Sequence, residues 1–388
     1  MPALLNRAGF NVDAITTCSF LEESKFISNF EHSFIPQDLV KMVMQKNLDT
    51  YDCIVVCDDL TLENILNSDL SSEQKLRLLP VQNLENFTHL FSKIGLSKIL
   101  SEAGVRTPEF LVAQTQDEAV SAAEKLQYPV MIKVDSSGGG RGVFECKNSG
   151  DVKKIEARFF KLPLLVQKKI KGIELDLSGF YRDGKLIYFT YSKIEKVYQN
   201  KFGPSSLRTY QQLCNIDSSV FVEMQKLGEV LGANGFVTIS CIKSAIDGKK
   251  YFIEADMRPN SWVEFGKFLG DDPAPRISNW FLNGEIMQYP LPINNDYPAK
   301  LILPYYLRLS ALEILFNRYS VWKYLPLHDR RLLIKVMAVE VFKLNQTFRN
   351  IKRVPTFLIK LAVPLKEDRN KIKLKFKVAY RKTRSLFG

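Results

Sequence analysis

Two short stretches carry the residues best suited to chemistry. In Val130–Glu145, VMIKVDSSGGGRGVFE, one lysine, Lys133, sits on an apolar run and is followed by a glycine-rich turn. Glycines bring backbone N–H groups to an anion without Cβ obstruction, and a lysine adds a compact cation, so the stretch suits a phosphate cradle. Read alone, it equally describes a buried strand entering a hairpin. In YFIEADMRP, Glu254, Asp256 and Arg258 alternate along a strand-like run and so project on one face. Two hard oxygen ligands beside a guanidinium suit Mg²⁺ with a polyphosphate; a solvated strand face of alternating charge is the plainer alternative.

The elements that must hold these residues follow from periodicity and turn signals. YDCIVVCDDL reads as a short buried strand ending in acids, and ENFTHLFSKIGLSKILSEAG as a helix stopping at Gly104. DEAVSAAEKLQ is an amphipathic helix, YPVMIKV the next strand, and LPLLVQKKI another. Two hairpins follow: IELDLSGFY and LIYFTYS around an Asp-Gly turn, then GFVTISCIKSA and YFIEADMRP around a second Asp-Gly. QNKFGPSSLRTYQQL between them reads as a looser segment, and SSVFVEMQKLGEVLG as a helix. Mixed strands and helices with antiparallel hairpins give an α+β class.

The chain has 388 residues, 46% of them hydrophobic, enough for two or three domains with sizeable cores. No apolar run of about 18 residues and no signal-peptide pattern is present, which predicts a cytoplasmic protein. The six cysteines are scattered and read as reduced structural thiols; Cys53 and Cys57 would lie roughly 13 Å apart along a strand, too far to share a metal. His32, His89 and His328 lack metal or triad spacing. Charge is uneven. From Lys300 onward 21 Lys and Arg face 5 Asp and Glu, a net +16 against +12 for the whole chain, so the preceding residues sum to −4. With Leu, Ile, Phe and Tyr interleaved, as in KIKLKFKV, that tail suits a solvated helical cap, a lysine-protected edge strand or contact with an anionic membrane; nucleic acid is not expected, because no recognised binding fold accompanies the charge.

In order, KIL…GV.TPEF, PVMIKV, SSGGGRGV, LLVQKKIKGIEL and FIEADMRP resemble the ATP-grasp superfamily of carboxylate–amine ligases, in particular the biotin-carboxylase and carbamoyl-phosphate-synthetase-like members, over roughly Lys98 to Trp262. The resemblance implies an ATP-grasp fold at 91–290, two α+β lobes around ATP, after a Rossmann-like domain at 1–90 that lacks its first strand, and before a basic helical extension at 291–388. It implies ATP and Mg²⁺, with Mn²⁺ as an alternative ion, small carboxylate and amine substrates, and leaves homo-oligomerisation open.

Residue by residue, the resemblance implies that Lys98 and Lys133 bind phosphate, and that Gly138, Gly139, Gly140, Arg141 and Gly142 form a flap over the β/γ-phosphates. Gln167, Lys168 and Ile170 would line adenine, and Glu174 would accept from ribose. Glu254 and Asp256 would hold metal, and Arg258 would steady the transferring phosphoryl group, with Lys133 and Arg258 the catalytic pair. Arg208 falls on a substrate-side segment suited to a phosphate or carboxylate; Trp262, Glu264 and Lys267 are more readily core or surface residues than cavity walls. The sequence departs from the family pattern at Asp256, where Asn is usual, and at Ser240, where an acid or amide is usual, and Asp247 is no evident substitute. A nucleotide-binding module without turnover is therefore the second expectation.

Overall fold

A computed structural model describes residues 1–155, 162–197, 202–288, 299–302 and 329–335. The chain opens with α1 (Pro2–Arg7), β1 (Asp13–Thr16), β2 (Asn29–His32), α2 (Asp38–Met44), α3 (Asp59–Leu66) and α4 (Ser72–Leu78). β1 and β2 pair in parallel, Asp13 opposite Asn29. The run Cys53–Cys57, expected as a strand, joins no ladder. Its side chains are nonetheless used: Val56 is buried in the largest core cluster, and Val55 packs on a second cluster with α1 and the helix Pro273–Asn283. Apolar content drew the run inward, but no strand among the described residues takes its hydrogen bonds.

The small lobe follows α5 (Lys93–Glu102) and contains β3 (Phe110–Ala113), α6 (Gln116–Leu126), β4 (Val130–Val134), β5 (Val143–Cys146), α7 (Ser149–Lys153) and β6 (Leu164–Lys168). Its sheet is antiparallel in the order β3-β6-β4-β5. α6 starts at Thr115, whose hydroxyl accepts from the Glu118 N–H, and its apolar residues Ala119, Ala122, Ala123 and Leu126 recur at helical spacing. That stripe packs with Val130, Ile132, Leu164 and Val166 into a core belonging to this lobe alone.

The large lobe is built from β7 (Gly172–Arg182), β8 (Lys185–Phe189), β9 (Tyr191–Val197), β10 (Ser205–Gln211), α8 (Ser218–Val230), β11 (Gly235–Ser244), β12 (Lys250–Asp256), α9 (Pro273–Asn283) and β13 (Ala299–Ile302). The sheet order is β12-β11-β7-β9-β10-β13, with β8 beside β7. The segment expected to be loose contains β10, and LIYFTYS is two strands, β8 and β9. Leu175, Leu177, Val237, Ile239 and Cys241 face the largest core, which also includes Val40, Leu48, Leu62 and Leu78 from the first ninety residues. The N-terminal segment and the large lobe therefore share one apolar interior.

Beyond residue 290, β13 adds to β10 with Leu301 opposite Arg208. Residues 330–335 are helical, and Asp329 accepts from the Ser24 hydroxyl at 2.5 Å. The remaining basic tail, KIKLKFKV included, lies outside the described residues. Among the described residues no helix is long and apolar enough to cross a membrane.

Candidate active site

Alternation along the central strands creates one polar sheet face. While Leu175 and Leu177 turn to the core, Glu174, Asp176 and Ser178 turn the other way. Ser240 stands opposite Asp176 on one side and Glu254 on the other, and Thr238 stands opposite Ser178 and Asp256. These residues, except Ser178, line a cleft of about 600 Å³ with Gly138, Gly139, Gly140, Lys93, Arg208, Arg258 and Asn260.

Lys133 belongs to the small lobe and lies behind the cleft wall. It lies on β4 opposite Leu165 and is 7% exposed. Burial pushes its ammonium down to about 8, against the attraction of Glu254 and Glu174 and with repulsion from Lys93. The charges it feels are thus those of the cleft. An anion arriving there restores the partner that the buried ammonium lacks.

The glycine turn lies against the opposite wall. Gly140, at φ +73°, is so close to the following segment that a Cβ would stand 1.9 Å from the Phe202 carbonyl oxygen. Only glycine fits this approach without displacement. The turn is tied from below by Lys93, whose ammonium donates to the Ser137 carbonyl at 2.5 Å and the Asp135 carbonyl at 3.3 Å. Asp135 accepts from the Ile94 N–H at 2.8 Å and the Ser92 hydroxyl, holding the α5 N-terminus against the turn.

Opposite stand the acids. Enclosure in the cleft, then the adjacent Glu254 carboxylate, push the Asp256 carboxyl up to about 7, opposed by Arg258. Arg258 donates through Nε and Nη2 to both oxygens of Asp59 and through Nη2 to Asp256 at 3.1 Å. Its pKa is raised, burial being outweighed by these carboxylates. Arg208, 4% exposed, donates to Asp176 at 2.6 and 3.0 Å and to the Ser205 hydroxyl at 2.7 Å, and lies 4.7 Å from the Trp262 ring centre. Asn260 donates to the Ser178 hydroxyl at 2.8 Å, which donates to Asp176 at 2.9 Å.

The residues singled out in the sequence do not all reach this cleft. Glu174, Glu254, Asp256, Arg258, Arg208 and Gly138–Gly140 line it, and Lys133 is within its electrostatic reach. Lys98 is exposed and does not line it; Lys93, five residues earlier and about 500° round the helix, does. Of the two lysines, the cleft wall thus includes Lys93 and not Lys98. Arg141 is exposed and Gly142 buried behind the turn, neither on the cleft wall. Gln167 is buried, with its amide 3.5 Å from the Thr107 hydroxyl; the Lys168 N–H donates to the Glu109 carbonyl, its side chain is exposed, and Ile170 is half-buried. These three also lie off the cleft wall. Trp262, expected as core rather than cavity wall, is 2% exposed but does line the cleft, and Glu264 pairs with Arg7 and Lys267. Asp247 accepts from Tyr251 at the hairpin tip.

Sequence reading missed Lys93, Asp176, Asn260 and Asp59. Asp176 had a signal: ELDLS puts it two residues after Glu174, on the same face. Asp59 had only its place in the acidic end of YDCIVVCDDL.

Glu254 and Asp256 are hard carboxylates on one face, and enclosure together with the adjacent Glu254 carboxylate holds the Asp256 carboxyl near 7 despite Arg258 and Lys93. Among the described residues no three His, Cys, Asp or Glu form a ready metal cluster. Mg²⁺ commonly takes one or two protein carboxylates and completes its shell with phosphate oxygens and water, so the residues fit it.

Residues 98–260 match the family model for the ATP-grasp domain. The carbamoyl phosphate synthase large chain of Pyrococcus furiosus is 23% identical over 201 residues, 50% of this chain and 19% of that protein. The succinate–CoA ligase [ADP-forming] subunit beta of Haloarcula marismortui is 41% identical over 61 residues, 16% of this chain and 15% of that one. The chain thus spans less than a fifth of the length of these curated relatives. Among solved structures, the biotin carboxylase domain of Hydrogenobacter thermophilus 2-oxoglutarate carboxylase, in complex with MgADP, ADP and bicarbonate, has TM-score 0.58 at 17% identity, covering 74% of this chain and 67% of that one. N5-carboxyaminoimidazole synthetase from Staphylococcus aureus has TM-score 0.58 at 12% identity, covering 83% and 82%. The fold is the ATP-grasp fold.

Proposed function

We propose that the chain is an ATP-dependent ligase: it binds Mg·ATP between its lobes and activates a carboxylate as an acyl phosphate, which an amine or similar nucleophile then captures, forming a carbon–nitrogen bond. The observation that carries this reading is convergence. A glycine turn from one lobe meets two carboxylates and an arginine from the other across one cleft, and the buried Lys133 of the small lobe lies close enough to feel Glu254 and Glu174. Lys133 and Lys93 supply cations toward the polyphosphate, and the turn supplies N–H groups. Glu254 and Asp256 would hold Mg²⁺, which when bound offsets the charge of the β- and γ-phosphates. Arg258 steadies charge on the transferring group, and Arg208 lies on the substrate side. The carboxylate attacks the γ-phosphorus, ADP leaves, and the nucleophile displaces phosphate from the acyl carbon. No side-chain nucleophile is needed; position and charge do the work.

ADP release in a screen of carboxylates and amines tests this, with bicarbonate, the anion in the 2-oxoglutarate carboxylase complex, included. Activity lost in Lys133→Ala and Glu254→Ala supports the reading; nucleotide binding without turnover across the screen favours the second reading, a binding module. Ser240 motivates that alternative, because its hydroxyl stands between Asp176 and Glu254 where a further acid would strengthen metal binding. Within the same proposal the protein acts in the cytoplasm, and the net +16 beyond residue 299 supports a peripheral contact with anionic membrane. Flotation that is unchanged by anionic lipid would reject that contact.

A further inference from the structure

Arg258 is held by a residue outside the ATP-grasp domain. Asp59 is the first residue of α3, 199 positions away, and its two carboxylate oxygens receive Nε and Nη2 of Arg258. α3 is fixed by the Asp58 side chain, which accepts from the Thr61 N–H at 2.8 Å, and by Leu62 and Ile65 in the shared core. The Arg258 backbone is fixed too: its N–H donates to the Asp256 carbonyl at 2.8 Å, and its carbonyl accepts from the Thr238 hydroxyl at 3.2 Å. What remains to be fixed is the long side chain, and a two-point contact sets the plane of a guanidinium where a single contact does not. With Nε on Asp59 and Nη2 shared between Asp59 and Asp256, Nη1 is the edge of the fork given no partner among the described residues. Both Asp59 and Arg258 line the cleft, and Asp59 also abuts the glycine turn: a Cβ on Gly138 would lie 3.5 Å from its Oδ2.

We propose that Asp59 is a positioning residue for Arg258, presenting its Nη1 edge to the transferring phosphoryl group from a scaffold the ATP-grasp domain does not itself contain. The inference rests on the proposed function for the identity of the ligand. It differs from a plain inter-segment ion pair in one respect: the effect of losing Asp59 falls on phosphoryl transfer rather than on nucleotide binding or stability.

The full chain and its Asp59→Ala, Asp59→Asn and Asp59→Glu variants are titrated by calorimetry with Mg·ADP alone and with Mg·ADP plus aluminium fluoride, a mimic of the transferring group. The expected result is Mg·ADP affinity within ~3-fold of the parent in all, with the extra affinity conferred by fluoride falling ~30-fold in Asp59→Ala and Asp59→Asn and recovering at least tenfold in Asp59→Glu. An unchanged fluoride gain in Asp59→Ala overturns the proposal, as does an equal loss with and without fluoride. A second readout needs no nucleotide: the Arg258 Nε–H resonance, assigned by its absence in Arg258→Lys, should be protected from exchange in the parent and lost in Asp59→Asn. A resonance identical in both overturns the proposal by itself. If the parent binds no Mg·ADP, the proposed function fails, and this resonance still decides whether Asp59 holds Arg258.

Discussion

The two lobes solve opposite electrostatic problems. The small lobe buries a cation with no carboxylate bonded to it among the described residues: Lys133 sits on β4 between Ile132 and Val134 of the lobe's core, its ammonium pushed down to about 8. The large lobe does the reverse, placing acids on one sheet face and pairing Arg208 with Asp176 and Arg258 with Asp256, while Asp59 from the N-terminal segment also takes Arg258. A strained, unpartnered charge belongs where a ligand will supply the partner; a satisfied pair belongs where geometry must persist before the ligand arrives. The small lobe is accordingly the side whose stability the ligand should change most.

Removing Lys133 is the sharpest way to break that contrast. Lys133→Met should cut Mg·ADP affinity ~100-fold, about 2.7 kcal/mol, while the melting temperature holds or rises, since a desolvated ammonium is gone. The sign can be checked by pH. A lysine whose pKa falls from 10.5 to about 8 on folding binds fewer protons in the folded state between those values, so its contribution to stability improves as pH rises from 8 to 10.5. Lys133→Met should lose that slope in urea melts, and Mg·ADP affinity of the parent should fall as pH rises past about 8.

On the acidic side, Glu254→Gln should raise the Mg²⁺ concentration needed for half-maximal ADP binding roughly 30-fold, with little change in melting temperature, because one ligand is lost from a site that lacks a third acid. Lys93→Ala should weaken ADP binding about 10-fold, whereas Lys98→Ala, on exposed helix surface, should change it less than ~2-fold. Equal effects at the two lysines would contradict the cleft as described. A smaller loss than at Lys93 is expected at the turn. Gly140→Ala forces a methyl group toward the Phe202 carbonyl oxygen at positive φ and should weaken binding ~5-fold, seen by calorimetry as a raised Kd.

Legibility in the sequence followed the range of the interaction. Period-two alternation in YFIEADMRP and the glycines after VMIKV are local, and they led to both walls of the cleft. The helix around Lys93 and Lys98 was also legible, but its phase was not: two lysines five apart point in different directions, and only packing of Ile94, Leu96 and Leu100 decides which faces inward. The pairing of Arg208 with Asp176 and of Arg258 with Asp59 was invisible, because no local pattern reports on a partner 32 or 199 residues away. The strand expected at CIVV failed for a related reason. Apolar residues specify burial, whereas a ladder needs a neighbouring strand, which no property of that run can supply.

The pairing of β13 with β10 has a practical bearing on any shortened version of this chain. A protein ending before residue 299 would leave one flank of β10 without the cross-strand partners that residues 299–302 provide, beside Arg208. Such a bare margin invites sheet-to-sheet self-association. Precipitation or weakened turnover in the truncated form would then report on lost main-chain bonding next to the cleft, and only a version retaining residues 299–302 isolates the contribution of the basic tail.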